Sequence, residues 1–115
     1  MFTGREKVIK DVKEIDNGVI VELQGSFDMS CSMDLRQQMM DILVSPPKKL
    51  IVDMTEVECM DSSGLAILIE ALKMSKRKMC SMKLAGMNKR VKGVFEIARL
   101  ETLFDIYDSV EKAIV

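Results

Sequence analysis

The strongest constraint on this chain is the order of its apolar segments. Short β-branched runs alternate with stretches that repeat at helical spacing. The pair Asn17-Gly18 opens the pattern as a hairpin turn, since both residues tolerate positive φ. It separates a weakly patterned strand at Val8–Val12 from the run Val19-Ile20-Val21-Glu22-Leu23, and the two are expected to pair antiparallel. A helix capped by Ser30 is expected to run to about Val44, with Leu35, Met39, Ile42 and Leu43 on one side. Pro46-Pro47 stops it, because proline cannot continue the backbone ladder. Leu50-Ile51-Val52 reads as a central strand covered on both faces.

A second helix is expected from Asp61-Ser62-Ser63 to about Lys78, with Leu65, Leu68, Ile69 and Leu72 on one stripe. Lys76, Arg77 and Lys78 suit the negative end of its dipole. Ser81–Ala85 reads as a fourth strand. Asn88 is placed to cap a third helix through Arg99, and Leu103–Ile106 reads as a short strand. Asp108 with Glu111 suggests a capping box for a final helix. The order β-β-α-β-α-β-α-β-α implies one α/β domain over residues 1–115, with a mixed, mostly parallel sheet, an N-terminal hairpin and four helices.

Composition removes several function classes. The chain has 115 residues and no histidine, so it cannot build a Ser-His-Asp or Cys-His arrangement or a histidine zinc site by itself. Its 17 basic and 18 acidic residues give a net charge of -1, no electrostatic ground for nucleic-acid binding. The three cysteines, Cys31, Cys59 and Cys80, are far apart and never in C-x-x-C spacing, which fits free thiols in a reducing compartment. No signal peptide fits Met1–Lys10, with Arg5, Glu6 and Lys7 within it, and the longest apolar stretch, Gly64–Leu72, is too short to cross a bilayer. A cytoplasmic protein with no metal, cofactor or membrane attachment is expected.

Function in such sheets gathers at the turns after strand C-terminal ends. Two turns stand out, Gly25–Ser30 and Cys59–Gly64. In the second, a buried strand leads through the polar turn Asp53–Met60 to two serines on a helix N-terminus, where free N–H groups favour an acceptor oxygen. On spacing alone, Ser62 or Ser63 is a helix cap with Asp61 as dipole complement. The sharper reading makes one serine a phosphoryl acceptor, gaining about -1.5 to -2 charges at neutral pH. Catalysis is disfavoured: Ser62 and Ser63 start no Ser-x-x-Lys motif, and the chain has no G-x-S-x-G elbow and no G-x-x-x-x-G-K-[ST] loop.

The segment Asp61-Ser62-Ser63-Gly64-Leu65, with the apolar strand and turn before it, resembles the signature of the STAS domain family, above all its bacterial anti-sigma factor antagonists. Gly25-Ser26-Phe27-Asp28 is similar to that family's turn after its second strand, with Phe27 in place of an aliphatic residue. Asn88–Phe95 and Leu100–Phe104 resemble its third helix and last strand. The resemblance implies a non-enzymatic partner switch. The unphosphorylated protein would bind an anti-sigma factor that is also a serine kinase. Phosphorylation of Ser62 would release it, and a PP2C-type phosphatase would reset it. It also implies that Asp28, Asp61, Ser63 and Gly64 lie at the partner-binding surface. The alternatives are a STAS scaffold or accessory module of a transporter or signalling complex, without phosphoryl control, and a small serine hydrolase.

The two longer helices carry more apolar residues than one core stripe needs. At about 100° per residue, Ile67 and Met74 fall opposite Leu65, linked by Ala71. Met33, Met40 and Val44 form a comparable set on the first helix. They either pack against neighbouring elements or form part of a docking surface, with Ile67 the test position. The eleven methionines suit an adaptable surface and an irregular core equally.

Overall fold

A computed structural model describes residues 9–115. The hairpin forms, but its turn is Asp16-Asn17 and not Asn17-Gly18, because Gly18 already pairs with Ile15 in the ladder. Asn17 takes φ 63° between β1 (Ile9–Ile15) and β2 (Gly18–Phe27), which pair antiparallel with Val12 opposite Val21. Val8, expected to start the first strand, lies outside the described residues.

The remaining strands, β3 (Lys49–Met60), β4 (Ser81–Ala85) and β5 (Asp105–Tyr107), add in parallel to give the spatial order β1-β2-β3-β4-β5. Each parallel crossover steps one strand the same way. Right-handed connections therefore put α1 (Met29–Val44), α2 (Ser62–Arg77) and α3 (Lys89–Ile97) on one face. The last helix, α4 (Val110–Ile114), follows β5 and covers the other face.

Side-chain alternation along the strands feeds both layers. Val21, Leu23, Leu50, Val52 and Leu84 join the core under α1–α3, with Leu35, Met39, Leu68, Val91 and Phe95. Ile20, Ile51 and Ala85 meet Ala113 of α4. This explains the unbroken run Leu50-Ile51-Val52: all three are fully buried, each by about 1.5–3 kcal/mol of apolar burial. No described helix is long and apolar enough to cross a membrane.

Several local expectations shift for identifiable reasons. The strands β2 and β3 run on through segments that read as turns, because each supplies the other with a ladder partner out to Phe27↔Met60. Asp28, not Ser30, caps α1. Ser109, not Asp108, caps α4 by accepting from the Lys112 N–H. The helix α3 ends at Ile97, and Arg99 turns left-handed at φ 59°. The last strand starts two residues late, because Phe104 folds inward to meet Phe95 edge-on at 5.4 Å, leaving Leu103 exposed.

The apolar stripe on α2 also needs correction. Ile67 is 6% exposed and belongs to the main core. The helix is covered on two sides, by the sheet and by α1, so its buried arc includes Gly64, Ile67, Ala71 and Ser75 as well as Leu65, Leu68 and Leu72. A bidentate pair from Arg36 to Glu70, both contacts 2.8 Å, bridges the same two helices at the surface.

Two aspartate-capped helix starts as the candidate functional site

Adjacent parallel strands end together at Phe27 and Met60, and each passes at once into a helix. Both helices open with Asp-x-Ser. Asp28 Oδ1 accepts the Ser30 N–H at 2.9 Å and the Ser30 hydroxyl at 2.5 Å. Asp61 Oδ1 accepts the Ser63 N–H at 2.9 Å, the Ser63 hydroxyl at 2.6 Å and the Gly64 N–H at 3.3 Å. These bonds answer orphan donors at each helix start. The sequence carries a third copy within β3, where Asp53 Oδ1 takes the Thr55 N–H and hydroxyl.

The two turns are joined. The Asp61 N–H donates to the Phe27 carbonyl at 2.9 Å. Gly64 lies so near β2 that a β-carbon on it would stand 2.8 Å from Phe27 Cβ and 3.2 Å from Met60 Cγ. Only glycine lets the first turn of α2 approach this closely. Gly64 is therefore buried, like Ile67, and neither presents a side chain to an incoming protein; Asp28, Asp61 and Ser62 are exposed and Ser63 half-exposed.

Both carboxyls are held below the usual aspartate range. For Asp28 the leading cause is the Ser30 hydroxyl, followed by the Ser30 N–H, against an opposing push from desolvation and a smaller one from the Asp61 charge. For Asp61 the leading cause is the Ser63 hydroxyl, with the Gly64 and Ser63 N–H groups adding to it. Hydrogen bonds to the ionised form thus outweigh the desolvation of each carboxyl.

The two serines of the second turn differ in kind. The Ser63 hydroxyl is committed to Asp61. The Ser62 hydroxyl is exposed and has no hydrogen-bond partner among the described residues. A group added to Ser62 Oγ would also find the Ser63 and Gly64 N–H donors already taken by Asp61. Outside the turn, the exposed apolar residues of α1 continue the same end of the molecule. Met29, which the helical periodicity did not single out, is 79% exposed and Met33 is 76% exposed, one turn apart. Met40 packs partly against the core, and Val44 is exposed at the far end of α1.

Cys31 and Cys80 are buried free thiols pushed up by desolvation, and Cys59 is half-buried. Among the described residues no group of three His, Cys, Asp or Glu side chains is placed to hold a metal. A cavity of about 530 Å³ on the α4 side is lined by Glu22, Asp53, Asp108 and Glu111 among others; Asp28, Asp61 and Ser62 do not border it.

Comparison with known proteins places the chain among relatives. The family model described as the STAS domain matches residues 10–113. An anti-sigma-B factor antagonist of Bacillus subtilis is 30% identical over 96 residues, covering 84% of this chain and 87% of the relative. The crystal structure of an anti-sigma factor antagonist from Mycobacterium paratuberculosis superimposes with a TM-score of 0.82 at 21% identity, covering 90% of this chain and 87% of that one. A sulfate transporter family protein from Wolinella succinogenes gives 0.69 at 25% identity, covering 82% and 79%.

Proposed function

The chain belongs to the STAS domain family, and we propose that it is an anti-sigma factor antagonist switched by phosphorylation of Ser62. In this reading it is a cytoplasmic regulator rather than an enzyme. It binds an anti-sigma factor that is also a serine protein kinase while Ser62 is bare, and a PP2C-type phosphatase restores that form. The curated relative of that name supports the partner class. The observation that carries the choice of residue is the contrast at the α2 start: Ser62 offers an exposed, unengaged hydroxyl, whereas the Ser63 hydroxyl is bound to Asp61.

The same geometry supports an account of how a phosphate would act. With the Ser63 and Gly64 N–H donors occupied by Asp61, the phosphate turns outward from the cap. It adds about two negative charges to a rim that already carries Asp28 and Asp61. A partner surface fitted to a hydroxyl then meets bulk and like charge, a penalty on the order of several kcal/mol. Asp28, Asp61 and Ser63 shape the docking rim, and Met29 and Met33 supply apolar contact beside it.

The test is to incubate the protein with ATP and an anti-sigma kinase encoded beside its gene, then measure intact mass. One phosphate is expected, lost in Ser62→Ala and kept in Ser63→Ala. Ser62→Asp should abolish binding to the unmodified protein's partner. A phosphate that persists in Ser62→Ala overturns the assignment. The likeness to the sulfate transporter family protein favours a second reading, an accessory module without phosphoryl control. In that case Ser62→Asp leaves partner affinity unchanged.

A further inference from the structure

The strand β3 overshoots its neighbour. Its pairing with β4 stops at Asp53↔Ala85, while its pairing with β2 continues to Met60. Near its end the β2 ladder is irregular: Gly25 pairs with Val57 and Ser26 with Cys59, so Glu58 is an extra residue with no opposite number. Carbonyls on such a bulged overhang need a donor from elsewhere.

Asn88 supplies it. Its Nδ2 donates to the Val57 carbonyl at 3.0 Å and to the Glu58 carbonyl at 3.1 Å. Its Oδ1 accepts the Val91 N–H at 2.8 Å, capping α3. One side chain therefore closes a helix start and two strand carbonyls at once. Three residues after Glu58 comes Asp61, the cap of the Ser62 turn.

We infer that Asn88 is the positioning residue of the Ser62 turn: its side chain stands in for the missing length of β4 and clamps the end of β3 to the start of α3. The turn is then held from both flanks, by the Phe27 carbonyl on the β2 side and by Asn88 on the α3 side. How Ser62 is presented to another protein depends on α3. That consequence rests on the switch proposed at Ser62; the clamp itself does not.

Two substitutions separate the clamp from the cap. Asn88→Asp keeps an oxygen for the Val91 N–H but turns the double donor into an acceptor facing two carbonyls. Asn88→Ser keeps a short cap and removes the donors without adding charge. Amide hydrogen exchange of the full chain, followed by NMR, reads the result. Exchange at Asp61, Ser63 and Gly64 should accelerate about tenfold or more in both variants. The Ser30 and Cys31 amides, held by Asp28 itself and not bonded to Asn88, should keep their wild-type rates. In the unsubstituted protein the Asn88 side-chain NH2 protons should exchange slowly. Fast NH2 exchange, unchanged rates at Asp61–Gly64, or equal acceleration of both turns overturns the inference. With the neighbouring kinase added, the variants should be phosphorylated more slowly at Ser62 than the parent. If the parent takes no phosphate at all, the switch fails while the exchange data still decide the clamp.

Discussion

Phe27 and Gly64 meet so closely that a methyl group on Gly64 would come within 2.8 Å of the Phe27 β-carbon. That atom is fixed to the β2 backbone and cannot swing aside, so α2 itself must move. Gly64→Ala gains about 1 kcal/mol of helix propensity but loses more to overpacking. A net loss of about 1–2 kcal/mol is expected from urea denaturation. A midpoint equal to or above that of the parent would show that the first turn of α2 has room to spare.

The cap and its neighbouring serines should separate cleanly. Asp61→Ala removes the acceptor of three hydrogen bonds and should lower the unfolding midpoint. Asp61→Asn keeps an acceptor oxygen and should recover most of it. Ser62→Ala should change stability by no more than about 0.5 kcal/mol, as for a surface residue with no structural partner. A larger loss at Ser62 than at Asp61 would contradict the division of roles between them.

Acid should weaken the fold through the two caps. Asp28 and Asp61 have folded-state pKa values depressed below those of the unfolded chain, and Glu70 is depressed by its hydrogen bonds to Arg36. A depressed carboxyl contributes stability in full above its unfolded pKa and loses it as pH falls through the folded value. The decline therefore starts near about pH 4, where free carboxyls titrate, and deepens below it. The Ser30→Ala, Ser63→Ala double variant removes the leading cause of both aspartate shifts. Its midpoint should fall less between neutral pH and pH 3 than the parent's; parallel curves would refute the account.

Ile67→Asp should unfold the domain, not merely blunt an interface. A charge placed at a site 6% exposed and lined by the main core costs about 3 kcal/mol or more. Circular dichroism melting checks this. A variant that melts near the parent temperature would return Ile67 to the surface.

Most of the fold was legible because its signals were local. The run Leu50–Val52 and the strand Ser81–Ala85 each depend on a few adjacent residues, and the structure has them in place; the hairpin is there too, with its turn one residue early, at Asp16-Asn17. The capping role of Asn88 was legible for the same reason. Its clamp was not, because Val57 and Glu58 are about thirty positions away, and only the sheet register brings them within reach. The same holds for Ile67. Periodicity gives the angle of a side chain on its helix but not the number of neighbours around that helix, so α1's cover of α2 was invisible. The Asp28 cap was misassigned to Ser30 because both residues suit that role. The repeat of Asp-x-Ser at Asp28 and Asp61, with Asp53-x-Thr55 as a third copy, was the available signal for the aspartate.

The unequal lengths of β3 and β4 make the last residues of β3 a jetty built out from the sheet. Under the switch proposed at Ser62, a group attached at its tip would alter what can moor there while the leucine and valine layers beneath stay undisturbed. A molecule switched in that way would alternate between company and solitude many times over without refolding.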